Sequence, residues 1–215
     1  MTLEPNLVRF AFTSLVTLLV VIDPFALVPV FVGMTKDMTS IARATVVRRS
    51  VSIAFGVAIF FLLGGKLLLS GLGVSVNAFS ISGGILLFLT AMPMLFGHRG
   101  QMMSPQRGEE RGGDIAVFPL AIPLISGPGT LTTILTLDAA ARGSIALEAI
   151  IVISLAILFG MTALLLQYGA ALVLKMGQGG VNVVTRVLGI ILAALAAQFV
   201  LTGIAGFVHS LHFAG

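Results

Sequence analysis

The chain has 215 residues, of which only 9% are Asp, Glu, Lys or Arg, against about 25% in an ordinary soluble domain. With 58% hydrophobic residues and a mean hydropathy of +1.14, it carries more apolar surface than a single core of this size can hide, so its solvent is lipid. The absence of Cys excludes disulfides, thiolate nucleophiles, Cys-bearing zinc sites and iron–sulfur clusters, and a net charge of +4 scattered over short connections is not a nucleic-acid footprint.

Windows of about 20 apolar residues predict six membrane-crossing helices near 7–33, 49–69, 77–97, 115–137, 147–170 and 182–207. Stretches such as 54–69 and 150–166 are apolar all round, without the period-two alternation that a porin-type barrel needs. The first span follows Arg9, contains Asp23 and lacks a small-residue cleavage site, so it reads as a retained helix and not as a signal peptide. Within it, Asp23-Pro24-Phe25-Ala26-Leu27-Val28-Pro29 places two prolines five residues apart. Proline inside a helix removes a hydrogen-bond donor and costs about 3 kcal/mol or more. Asp is a favoured N-cap and Pro a favoured first residue, so a second half-helix is predicted to start at Asp23-Pro24.

The second span ends near Lys66, whose ammonium is expected to snorkel to the headgroups, and the third begins at Asn77. Residues 98–114, rich in Gly, Arg and Glu and carrying Pro105, read as a cytoplasmic linker that divides the chain into 1–97 and 115–215. The fourth span holds Pro119, Pro123 and then Ser126-Gly127-Pro128-Gly129-Thr130, where a second half-helix is predicted to start at Pro128. Connections on one side hold nine basic residues, Lys36, Arg43, Arg48, Arg49, Arg99, Arg107, Arg111, Lys175 and Arg186, against Arg9, Lys66 and Arg142 on the other. By the positive-inside rule the first side is cytoplasmic and both termini lie outside.

The halves resemble one another. Val76-Asn77 and Gly84-Ile85 match Val181-Asn182 and Gly189-Ile190 at a constant offset of 105 residues, and Leu87 with Leu192 and Ala91 with Ala196 continue the register. Pro24 falls opposite Pro128 at an offset of 104. Three spans per repeat is an odd number, so the second repeat enters the bilayer from the opposite side, as in many secondary transporters.

Asp23 is the only acidic residue well inside a predicted span; Asp114, Asp138 and Glu148 sit at span ends. An intramembrane carboxylate costs at least about 2.5–3.5 kcal/mol, which makes it a functional candidate by default; its competing reading is a structural N-cap. Ser126, Gly127, Pro128, Gly129 and Thr130, with the free N–H groups of a half-helix N-terminus, suit a carboxylate ligand. Asn77 and Asn182, equivalent in the repeat, are candidates to line the same site, with Thr133 and Gln198 behind them. Gly83, Gly84 and Gly189 read as close-packing contacts. His98, His209 and His212 lack metal-ligand spacing. No catalytic set, HExxH or P-loop occurs, so the chain is not expected to be an enzyme or to hold a cofactor or a metal.

Asp23-Pro24-Phe25-Ala26-Leu27-Val28-Pro29-Val30-Phe31 resembles the first-span motif of the MarC family, also called the neutral amino acid transporter family. Pro119-Leu120-Ala121-Ile122-Pro123-Leu124-Ile125-Ser126-Gly127-Pro128-Gly129 resembles its fourth-span motif more closely, and length and layout agree over nearly the whole chain. The family often has Asn where this chain has Asp23 and Gly where it has Ala26. The resemblance implies a bacterial or archaeal inner-membrane protein, grouped with the LysE-type exporters, and a small neutral amino acid such as glycine or alanine as substrate.

The expectation is therefore an all-α, polytopic six-helix transmembrane bundle of two inverted three-helix repeats with broken helices 1 and 4. It would act as a secondary transporter of a small neutral amino acid, coupled to H+ or Na+, in the bacterial inner membrane. The half-helix at Pro128 and the hydroxyls of Ser126 and Thr130 would take the substrate carboxylate, and Asp23 its ammonium group or the coupling cation. Partners are that substrate and the lipid bilayer, not nucleic acid, with a homo-oligomer left open. The competing readings are a passive small-solute channel and a structural or regulatory membrane protein.

Overall fold

Proline and capping chemistry set the helix boundaries. The computed structural model describes residues 4–35, 38–96 and 115–212, all of their regular structure helical. In chain order these are α1 (Glu4–Ile22), α2 (Pro24–Met34), α3 (Ser40–Gly71), α4 (Val76–Phe96), α5 (Ala116–Ile125), α6 (Pro128–Ala141) and α7 (Ile145–His212). Among the described residues, five segments are long and apolar enough to cross a membrane: Leu7–Met34, Ser40–Gly71, Val76–Phe96, Ile145–Gly169 and Arg186–His209. The region expected as a fourth span is instead two short pieces, α5 and α6.

Both breaks have local causes. Pro24 disfavours the right-handed helical region for the residue before it, and Asp23 adopts a left-handed backbone, φ 44° and ψ 63°. Its side chain then caps α2 by accepting a hydrogen bond from the Ala26 amide at 3.2 Å. In α5 the residues preceding Pro119 and Pro123, Phe118 (φ −129°, ψ 128°) and Ile122 (φ −131°, ψ 124°), are extended for the same reason. What winding remains is wide: the Ser126 amide donates to the Ala121 carbonyl, five residues back, at 2.9 Å. Regular helix resumes at Pro128, with Gly127 as an N-cap that has no side chain to offer.

Helix α3, at 32 residues, is about 48 Å long and exceeds the roughly 30 Å hydrocarbon core. It starts nine residues before the expected span, because Thr39 caps it by accepting from the Ala42 amide. Arg43, Arg48 and Arg49 therefore ride on the first turns of a helix and not on a loop. The linker 98–114, with Arg99, Arg107 and Arg111, and also Lys36, lie outside the described residues.

Helix α3 acts as a measuring rod for the two half-helices. Near its start, Arg43 Nε donates to the Thr35 carbonyl at the end of α2, at 2.9 Å. Near its end, Lys66 Nζ lies 2.6 Å from Asp138 Oδ2 in the last turn of α6, so Lys66 makes an ion pair where snorkelling alone was expected. Midway, the Ala54 carbonyl accepts from Ser126 Oγ at 2.7 Å, beside the second break. Arg43 and Lys66 are about 35 Å apart along the helix. Because α2 (11 residues) and α6 (14 residues) begin near the middle of α3 and end near opposite termini, they run from the centre toward opposite faces. Their lengths of about 16 and 21 Å together match that span.

The broken segments are the innermost. Leu7–Met34 is 59% buried, against 22–39% for the other four candidate spans, and α6 buries nearly every residue from Gly129 to Asp138. Irregular backbone at membrane depth survives only where protein covers it. One core cluster joins Leu18, Val28, Phe31, Leu120, Ile125 and Ile134 to α3 and to Leu155 and Phe159 of α7. A second joins Val20, Val21 and Ala26 to Leu87, Ala91 and Met94 of α4 and to Leu192 and Ala196 of α7.

A straight helix from Phe159 to Gly203 would run about 66 Å. Yet Phe159 packs on Phe55, Phe61 on Phe79, and Gly203 on Asn77, which ties both positions to one bundle. Helix α7 therefore doubles back between its two spans. Its second span lies antiparallel to α4, with Asn77 against Gly203, Gly84 against Ala196 and Val200, and Met94 and Leu95 against Gly189. The 105-residue offset exchanges two of these contacts: Gly84 with Val200 becomes Gly189 with Leu95.

Candidate functional site

At the level of the breaks, a cavity of about 370 Å3 is lined by residues from both broken segments, Asp23, Ala26 and Leu27 from one, Leu124 and Pro128 from the other. Its far wall is Leu87, Thr90, Pro93 and Met94 of α4 and Leu192 of α7. The volume lies in the lower part of the range of about 300–1,000 Å3 typical of small-molecule pockets, and the mixture of apolar walls with few polar groups is also typical.

The electrostatics follow from where the half-helices start. Each helix N-terminus carries about +0.5 elementary charge and unpaired N–H groups, and both α2 and α6 begin at this cavity. Together they present roughly one positive charge, opposite the one carboxylate of Asp23. Asp23 is 6% exposed and its own amide donates to Leu19 at the end of α1, so the carboxylate is fixed where the two helix ends meet. At the equivalent position of the second broken segment, Gly127 leaves the α6 N-terminus without a side-chain cap.

The structure brings together some of the residues singled out in the sequence and not others. Asp23 and Pro128 line one cavity, while Pro24 lies buried behind Asp23. The hydroxyls assigned to a substrate carboxylate already have acceptors: Ser126 Oγ donates to the Ala54 carbonyl and Thr130 Oγ1 to the Ile125 carbonyl at 3.1 Å. Both are buried and absent from the cavity wall, so they bind the break to α3 and to α5. Thr133 Oγ1 is likewise taken by the Gly129 carbonyl. Gly127 and Gly129 shape the turn; Gly129 presses so closely on Leu87 that a Cβ there would collide.

Asn77 does not line the cavity. It sits at the start of α4, about 15 Å from Leu87 along the helix, with its side chain against Gly206. The side chain of Asn182 lies outside those described. Gln198 is exposed and donates to Thr202 Oγ1 at 3.1 Å. Sequence reasoning missed the α4 wall, Thr90, Pro93 and Met94, although the repeat register had already singled out Leu87 and Leu192.

The comparisons with known proteins agree on the family without assigning an activity. The model described as MarC family integral membrane protein matches residues 8–208. A UPF0056 membrane protein of Archaeoglobus fulgidus is 34% identical over 198 residues, covering 91% of this chain and 92% of the relative. The UPF0056 membrane protein YvbG of Bacillus subtilis is 31% identical, with coverage of 89% and 92%. The UPF0056 inner membrane protein YhgN of Escherichia coli is 32% identical, with coverage of 89% and 94%. No solved structure matches significantly. With a match running from the first candidate span to the last, and both proline-broken motifs inside it, the chain belongs to the MarC family of integral membrane proteins.

Proposed function

We propose that the protein is a secondary transporter of small neutral amino acids that works by alternating access. The observation that carries this reading is the shared cavity, in which the Asp23 carboxylate meets the uncapped N-terminus of α6. A zwitterion has one group for each: its ammonium pairs with Asp23, and its carboxylate accepts from the first-turn N–H groups of α6. Because the two helix ends and Asp23 nearly cancel, a substrate of zero net charge leaves the site balanced, whereas a cation or an anion does not. Ser126 and Thr130 hold the second break in place and do not touch the substrate.

The architecture we infer has six crossings in two inverted three-span repeats, with α5 and α6 together making the fourth. The opposed directions of α2 and α6 support it, as does the exchange of the Gly84–Val200 and Gly189–Leu95 contacts under the repeat offset. Rocking of one repeat on the other would open the cavity to each face in turn. The face bearing Arg43, Arg48 and Arg186 is then cytoplasmic and both ends of the chain lie on the other. The name of the Escherichia coli relative, an inner membrane protein, is consistent with that membrane. Asp23 is the one carboxylate on the cavity wall among the described residues, so a coupling H+ or Na+ would bind it in alternation with the substrate ammonium and not together with it.

Uptake of labelled glycine and alanine into proteoliposomes tests this. Saturable uptake that is lost in Asp23→Asn and in Gly127→Leu is expected. Flux that rises linearly with concentration indicates a channel, and uptake unchanged in both variants removes the site assignment.

A further inference from the structure

A second cavity, of about 390 Å3, lies between α3 and the first span of α7, away from Asp23. Its floor is apolar, with Val47, Val51 and Leu164, and its rim carries Arg48, Ser52, Gln167 and Tyr168. Among the described residues Arg48 has no ion-pair or hydrogen-bond partner, and Tyr168 is the only Tyr in the chain.

Ala54 marks the middle of the bundle through its bond to Ser126, and Arg48 lies about 9 Å from it along α3. The hydrocarbon boundary is about 15 Å from the middle, so the Arg48 backbone lies roughly 6 Å inside it, within the snorkelling reach of an Arg side chain. Tyr168 is reached by an independent route. Its neighbour Gly169 packs on Val28, which is about 7.5 Å from Asp23 toward the same face. A guanidinium without a partner among the described residues and the single Tyr ring thus share one groove about 6–8 Å inside the hydrocarbon boundary, from which both polar tips can reach the headgroup layer.

We propose that this groove binds an anionic glycerophospholipid of the leaflet on the basic face. Its phosphate pairs with the Arg48 guanidinium, its headgroup hydroxyls meet Gln167 and Ser52, and one acyl chain lies along Val51 and Leu164. Charge selects an anionic headgroup, since a partnerless cation at this depth gains most from a phosphate. The apolar lining selects a lipid over a free anion, because an acyl chain packs on Val51 and Leu164 and a free anion does not.

Native mass spectrometry and thermal unfolding of the purified full chain in a neutral detergent test this. Phosphatidylglycerol is expected to stay bound and to raise the melting temperature where phosphatidylcholine and inorganic phosphate do neither. Arg48→Gln should weaken retention about tenfold, whereas Arg186→Gln, on the same face but outside the groove, should not. Equal retention of both lipids, an equal shift from inorganic phosphate, or equal weakening by both Arg variants overturns the proposal. Should Arg48→Gln fail to fold, Leu164→Trp fills the groove without touching the charge; lost retention supports the site and unchanged retention overturns it.

Discussion

Asp23 combines two roles that substitution separates. Its left-handed backbone and its cap on the Ala26 amide are structural, while the residue also lines the cavity. Asn tolerates the same backbone and caps as well, so Asp23→Asn should unfold within about 0.5 kcal/mol of wild type; Ala does neither and should lose about 1–2 kcal/mol. Denaturant unfolding in detergent measures both. Ser126→Ala should cost about 1 kcal/mol through the lost bond to Ala54 while leaving the substrate concentration for half-maximal uptake unchanged. Asp23 stands out in the sequence because a lone carboxylate in an apolar run has few reasons to exist, and its cap on α2 was legible from the Asp-Pro pair. The bond of Ser126 to Ala54 was not legible because its acceptor lies 72 residues away, and nothing local distinguishes a hydroxyl committed to a distant carbonyl from one free for a ligand.

Among elements, both breaks were legible, since proline acts on its own residue and on the one before it. Phe118 and Ile122 are extended as that rule demands, but how the freed α5 backbone would rewind depends on α3 and was not readable. The length of α3 was also missed, because basic residues end an apolar window without ending a helix. Its ion pair with α6 should respond asymmetrically. Lys66→Met leaves the mostly buried Asp138 unpaired and should cost about 1–3 kcal/mol; Asp138→Asn leaves a half-exposed Lys66 able to reach the headgroups and should cost about 1 kcal/mol or less. Packing of α4 on α7 gives a further contrast. A Cβ on Gly84 would fall 2.7 Å from the Ala196 carbonyl oxygen, whereas one on Gly160 meets nothing within 4 Å. Gly84→Ala should destabilise by about 1–3 kcal/mol, and Gly160→Ala should be neutral or stabilising by up to about 1 kcal/mol.

For the whole molecule, composition alone fixed the solvent, and the repeat register picked out Leu87 and Leu192 before either was seen on a cavity wall. What periodicity could not supply was the relative direction of the half-helices, which is written in contacts between distant residues: Arg43 with Thr35, Lys66 with Asp138. Those contacts turn two proline motifs into two helix N-termini that face one cavity, the arrangement on which the proposed carriage of a zwitterion rests. Counterflow separates a carrier from every other reading. Proteoliposomes loaded with unlabelled alanine and placed in a trace of labelled alanine should transiently accumulate label above its external concentration with wild-type protein, and should not with Asp23→Asn. Label that only equilibrates in the wild type, or counterflow undiminished in Asp23→Asn, would contradict a carrier built on Asp23 and Pro128.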